Sequence, residues 1–265
     1  MLLRNPFTKA LFDARRSLLG WTVAIVFVGA GYASFWPTIQ TPEMSEALSN
    51  YPKGLLEAFN YSDLTTAAGY LGSAVYGLLV PLLVAVFAIA AGARAVAGDE
   101  EAGTLDLLLA HPVSRQRLAL QRFAALGAGL LVVTALLWLA LVALIGPAGF
   151  SGVSADDLAA ISVHLILFGL LFAALAYAIG AATGSRALAL GLSAGVAVLG
   201  YLANSVIPQV DGLAWVRDLS PFGWLLGGSP LVNGIQVGHV VTLAVATAVL
   251  VAGGTWAFTR RDVAV

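Results

Sequence analysis

Six long apolar runs alternate with short polar segments along the chain. They extend approximately from Leu18 to Phe35, Tyr70 to Ala93, Leu118 to Ile145, Leu158 to Ala182, Ala187 to Ile207 and Val240 to Phe258. A helix needs roughly 17 to 25 apolar residues to cross a bilayer core, so each run is long enough. Barrel strands would instead alternate apolar and polar positions over about ten residues, and no such segments occur. The pattern predicts an all-α integral membrane protein with six transmembrane helices in a single transmembrane domain, 1–265. Between the runs lie an outer segment from Trp36 to Gly69 and a charged loop at 98–117. A short turn from Gly146 to Asp157, a tight turn from Thr183 to Arg186 and a second outer segment at 208–239 follow.

Ahead of the first run, Phe7, Ala10, Leu11, Ala14 and Leu18 recur at helical spacing, with Lys9, Asp13 and Arg16 elsewhere on the wheel. This predicts an amphipathic helix over 1–17 at the membrane surface. Asn5-Pro6 supplies its start, a capping residue followed by proline at the first helical position. A basic start and Gly31-Tyr32-Ala33 also fit a secretory signal with its cleavage site, but the run is read as a retained span.

Composition agrees with the pattern. The chain of 265 residues is 60% hydrophobic and 10% charged, with mean hydropathy +0.92, whereas soluble domains carry about 25% charged residues. A net charge of -1, with no basic stripe interleaved with aromatics, gives no nucleic-acid footprint. The partner by composition is the lipid bilayer. The absence of cysteine excludes disulfides, thiolate metal sites and cysteine nucleophiles.

Basic residues set the orientation. Arg4, Lys9, Arg15 and Arg16 precede the first run. Arg94, Arg115, Arg117 and Arg122 flank the charged loop, Arg186 lies in the tight turn, and Arg260 and Arg261 follow the last run. Only Lys53 and Arg217 fall on the opposite side. The asymmetry puts both termini and the charged loop in the cytoplasm; the expected location is the plasma (inner) membrane of a prokaryotic cell.

Several chemistries fit this layout poorly. Gly191-Leu192-Ser193-Ala194-Gly195 fits G-x-S-x-G, with His239 as a potential base. The two residues belong to opposite ends of neighbouring spans, roughly 20 Å apart at 1.5 Å rise per residue, so they share no proton. Gly191 with Gly195, and Gly180 with Gly184, are read instead as small-residue packing faces. An outer cluster of His164, His239 and Asp156 lacks the ligand spacing of a metal site. No acid or base sits mid-span, where ion relays are found. Tyr177, Asn204 and Ser205 are the polar groups in or near the spans; they are candidates for a transport pathway, with ordinary helix contacts as the plainer reading. A P-loop needs a lysine after glycine to reach the terminal phosphates. Lys9 follows Thr8 and Lys53 follows Pro52, so no nucleotide-hydrolysing domain is expected within the chain.

The charged loop has its own internal logic. Asp99, Glu100 and Glu101 end the second run. Gly103 permits a turn, Thr104 can cap a short helix, and Asp106 suits its first turn. Leu105, Leu108 and Leu109 then share one face, Pro112 stops the helix, and Ser114 caps the next. The product is a row of apolar knobs ringed by charge, suited to docking a protein.

The run Glu101-Ala102-Gly103-Thr104-Leu105-Asp106-Leu107-Leu108-Leu109, followed by Pro112-Val113-Ser114-Arg115, resembles the E-x-G-T-L-[ED]-L-L-L…P-[VI]-[ST]-R loop of type 2 ABC transporter permeases. Phe258-Thr259-Arg260-Arg261-Asp262 and Ser220-Pro221-Phe222 resemble two further features of that family. The resemblance implies that Gly103 to Ala110 form a coupling helix, with Asn5 to Ser17 as a connecting helix. It implies that Glu100, Glu101, Gly103, Thr104, Leu105, Leu108, Leu109, Pro112 and Arg115 couple the chain to an ATPase. It further implies two separate ABC ATPase subunits that bind ATP and Mg, and a second permease copy as homodimer or related heterodimer. Export is the expected direction, and the chain itself would bind no cofactor. A permease of the same build serving copper-site maturation or antibiotic self-protection is an alternative. A membrane-embedded enzyme or a scaffold is the alternative from another class.

Overall fold

The computed structural model describes residues 5–41, 50, 52, 64–101, 103 and 114–261. The elements are α1 (Pro6–Ser34), α2 (Trp36–Ile39), α3 (Ala67–Tyr70), α4 (Leu79–Arg94), α5 (Ala97–Glu101), α6 (Arg115–Leu144), α7 (Ala155–Thr183), α8 (Arg186–Ser205), α9 (Pro221–Leu226), α10 (Pro230–Asn233) and α11 (Val237–Arg260). No strand occurs among the described residues. Six stretches are long and apolar enough to cross a membrane: Pro6–Ile39, Ala67–Arg94, Arg115–Leu144, Ala155–Thr183, Arg186–Gln209 and Val237–Arg260. The chain is an all-α integral membrane protein.

Helix starts follow local chemistry. The Asn5 side chain accepts from the Phe7 N–H at 3.1 Å, with Pro6 in the first turn. The Ser114 hydroxyl accepts from the Arg117 N–H at 3.3 Å. At α7, Ser154 and Asp157 form a reciprocal capping box, which satisfies two otherwise orphaned donors. The Ser-x-x-Asp spacing that encodes it is present in the sequence.

The amphipathic stretch is not a separate element. Residues 6–34 form one unbroken helix, so the polar positions Lys9, Asp13 and Arg16 occupy the first turns of the span itself. The second span, by contrast, is jointed. Between α3 and α4 the backbone widens into a π-helical turn at Leu71–Val75 and breaks at Leu78.

The helices pack around α7, which contacts α4, α6, α8 and α11, while α1 packs on α6 and α4. Of its apolar window, 67% is buried, against 11% for α11. Lipid tails are as apolar as leucine, so helix association here rests on close packing rather than on burial from water. Gly92 of α4 shows the means: a methyl group there would run into the Ala173 carbonyl of α7.

The expectation for Gly191 and Gly195 changes within a single chain. The α8 residues Ala189, Ser193, Ala197, Gly200 and Asn204 face the bundle. Gly191 and Gly195 lie on the opposite side with no neighbour within 4 Å. Gly180 does pack as expected, between Ala97 and Ala189.

Candidate coupling face

The arginine-rich end of the bundle gathers four segments that are far apart in sequence. These are α5, the start of α6, the turn between α7 and α8, and the end of α11. The first contact is an ion pair between the Glu100 carboxylate and the Arg261 guanidinium, with side chains only 7% and 22% exposed respectively. Glu101 accepts from the Arg186 backbone N–H at 2.8 Å. This places a carboxylate at the N-terminus of α8, where free N–H groups and the helix dipole both favour negative charge. Arg115 donates from Nη1 to the Arg261 carbonyl at 2.7 Å, a cation against the C-terminal end of α11. The Arg115 guanidinium also lies 6.0 Å from the Phe258 ring centre, and Arg122 donates to the Ala95 carbonyl at 2.8 Å.

The turn that admits these contacts needs glycine. Gly184 ends α7 in the left-handed region, with φ of 72°. A side chain there would meet the Arg261 guanidinium and the Glu100 carboxylate. Beneath the ionic layer lies an apolar one. Val96, Leu118, Ala119, Tyr177, Ala181 and Phe258 form a buried cluster. Tyr177 and Thr255 are joined through their hydroxyls at 2.7 Å, and Phe123 leans on Tyr177 with ring centres 5.5 Å apart.

Of the residues expected to couple, Glu100, Glu101, Gly103 and Arg115 are described. Gly103 has φ of 64°, in keeping with its expected turn. Glu100 and Glu101 are engaged inside the chain, one with Arg261 and the other at the head of α8. The remaining expected residues, Thr104, Leu105, Leu108, Leu109 and Pro112, lie outside the described residues, as does the expected coupling helix. What the structure adds is the pair of feet on which that loop stands. Its entry is pinned by Glu100 and Glu101, and its exit by Arg115. Arg186, Gly184 and Arg261 were not singled out as partners for these feet. Their clearest sequence signal is opposite charge on one membrane side.

The candidate pathway residues separate to opposite ends. Tyr177 is buried in the cluster just described. Asn204 and Ser205 are buried at the far end, with the Asn204 amide donating to the Ser205 hydroxyl at 3.1 Å. Arg217 donates to the Asn204 carbonyl at 3.2 Å.

The far end is closed by the segment before α11. Ser220 caps α9 through the Phe222 N–H at 3.0 Å and donates its hydroxyl to the Gly200 carbonyl at 2.6 Å. Phe222 then enters the core, edge-on to Phe168 at 4.9 Å and to Tyr201 at 5.5 Å. His164 is fully buried in α7. Its Nδ1 donates to the Trp224 carbonyl at 3.1 Å, while Nε2 accepts from the Gln236 N–H at 3.2 Å. These two bonds fix one neutral tautomer. His239 donates to the Gly227 carbonyl at 3.2 Å. Both histidines thus fasten the segment before α11, and no group of three His, Asp or Glu residues placed to hold a metal occurs among the described residues.

No curated protein matches the chain. The family described as ABC-2 family transporter protein matches residues 6–263, which takes in all six spans, the charged loop and the end of α11. With six membrane-crossing helices and a match over nearly its whole length, the chain belongs to the ABC-2 family of ABC transporter permeases.

Proposed function

We propose that this chain is the membrane half of an exporter, driven by separate ATPase subunits that dock on the loop between Gly103 and Ser114. The observation that carries the reading is the clamp under that loop. A force applied to the loop reaches α11 through Glu100–Arg261 and Arg115–Arg261, and α8 through Glu101–Arg186. A solvated connector has no use for both feet being tied to other spans. In this reading ATP and Mg sit wholly on the ATPase partners. Their closure pushes two such loops together and tilts two bundles between inward-open and outward-open states. The second bundle would be another copy or a close relative. The outward face of α8, with Gly191 and Gly195 uncovered, offers it a surface on which backbones can approach closely.

The test is hydrolysis by assembly. The purified chain alone is expected to hydrolyse no ATP, and hydrolysis is expected to appear when its ATPase partner is added. Robust turnover by a pure single-chain preparation overturns the proposal.

Orientation is checked separately. The chain has no cysteine, so single cysteines report cleanly. Ser114, Arg186 and Asp211 are all exposed. An impermeant thiol reagent on intact cells is expected to label a cysteine at Asp211 and to spare those at Ser114 and Arg186. Labelling at Ser114 would reverse the proposed orientation.

A further inference from the structure

A groove of about 720 Å³ runs between α6 and α11, with Leu167 of α7 on its wall. Its existence follows from residue size. Ala244, Ala248 and Ala252 succeed one another by single helical turns on α11 and leave room that Leu120 and Phe123 of α6 do not fill. It is open towards the outside of the bundle, where the neighbouring α11 residues Val241, Val245 and Val249 are exposed. No charged residue lines it.

One end differs from the other. Ala244 and Leu167 mark the apolar, deep end. At the arginine-rich end the lining becomes Gln116, Trp256 and Thr259, and the Arg260 guanidinium lies over the Trp256 ring, 4.5 Å from its centre. From Ala244 to Arg260 the helix rises about 24 Å at 1.5 Å per residue. Half a bilayer, headgroup region included, measures about 20–22 Å. The groove therefore runs from near the membrane mid-plane to headgroup level in one leaflet.

Size selects the occupant. A helix about 10 Å across and 20 Å long fills roughly 1,600 Å³, more than twice the groove, so the groove cannot enclose a partner's helix. A hydrocarbon chain does. Charge selects the head. An arginine whose guanidinium lies over an indole face keeps donors for a phosphate, and no carboxylate of the lining competes. We propose that this groove holds one acyl chain of an anionic phospholipid, with the lipid phosphate against Arg260. The site is also wired to the clamp. Thr255, in its wall, bonds Tyr177, and Arg261 follows Arg260 directly. A bound lipid thus steadies the end of α11 that the clamp uses.

The test needs no ATPase, so its failure leaves the exporter reading untouched. The full chain is placed in phosphatidylcholine nanodiscs. A trace of phosphatidylglycerol or phosphatidylcholine is included, carrying a photoactivatable group in the acyl chain, and cross-links are mapped by mass spectrometry. The phosphatidylglycerol probe is expected to label the groove residues of α6 and α11 about tenfold more than the exposed α1 residues Val23 and Phe27. Ala248→Trp, which fills the groove, is expected to reduce that labelling to the α1 level. Arg260→Gln changes only an exposed side chain and should keep the fold. It is expected to remove the preference for phosphatidylglycerol over phosphatidylcholine. Equal labelling by the two probes in the unaltered chain, undiminished labelling in a folded Ala248→Trp variant, or a groove left unlabelled because a second copy covers it would each overturn the proposal.

Discussion

Truncating Glu100 to alanine is expected to destabilise the arginine-rich end of the bundle by about 3–5 kcal/mol, the cost of leaving one member of a buried ion pair alone. The pair qualifies because water reaches little of either side chain. The damage does not stop at one bond. The Arg261 carbonyl also receives Arg115, so an Arg261 that drifts releases the second foot of the loop. Thermal unfolding in detergent reads the stability, and the ratio of transport to ATP hydrolysis reads the coupling. A paired replacement, Glu100→Leu with Arg261→Met, removes both charges together. It is expected to regain most of the lost stability but not the coupling. If the alanine variant melts with the unaltered chain, the pair contributes no more than an exposed one, about 0–1 kcal/mol. The clamp would then have no mechanical role.

The second large effect is expected in the loop itself. Replacing Leu105 and Leu108 with aspartate puts two charges into the surface proposed to dock the ATPase, which on that reading must shed water. Disrupted interface hot spots of this kind cost about 2 kcal/mol or more, roughly thirtyfold in affinity. Membrane insertion should survive, because neither residue lies in an apolar run. Co-purification with the ATPase and transport in sealed vesicles measure the outcome, with a charge change at Glu46 in the outer segment as control. Full binding and full transport in the double variant would make the loop a mere connector.

The two predictions differ in how readable their residues were. Asn5, Ser114 and Gly103 could be assigned from sequence because a cap or a turn involves residues two or three positions apart. The six spans were legible for a similar reason, since length and hydropathy are properties of a window. Glu100 and Arg261 are 161 positions apart, and no local pattern pairs them. The sequence indicates only that both belong to the same side of the membrane. The break between an interfacial helix and the first span was expected from a change in polarity. Polarity does not bend a backbone, however, and nothing between Ser17 and Leu19 interrupts the hydrogen-bond ladder. Gly191 and Gly195 were recognisable as a packing face by size alone. Which body covers them depends on the direction α8 faces, and that is set by Ser193, Ala197 and Gly200 on its other side. Likewise Ser220-Pro221 announces a helix start, while its attachment to Gly200 depends on the tertiary fold.

The π-helical turn in the second span divides mechanical labour among the helices. Its wider winding, with Tyr76 bonded back to Leu71 at 3.0 Å and Gly77 to Ser73 at 3.1 Å, keeps the donors satisfied while interrupting the regular ladder. Such bulges soften a helix at one place. A displacement entering α4 from the clamp is absorbed there as bending. The same displacement entering α7 or α11 meets 29 and 24 residues of unbroken helix. It reaches His164 on one rod and His239 on the other almost undiminished, two of the points where the segment before α11 is tied down. In the proposed cycle the second span would thus act as a compliant strut, and the fourth and sixth as push-rods.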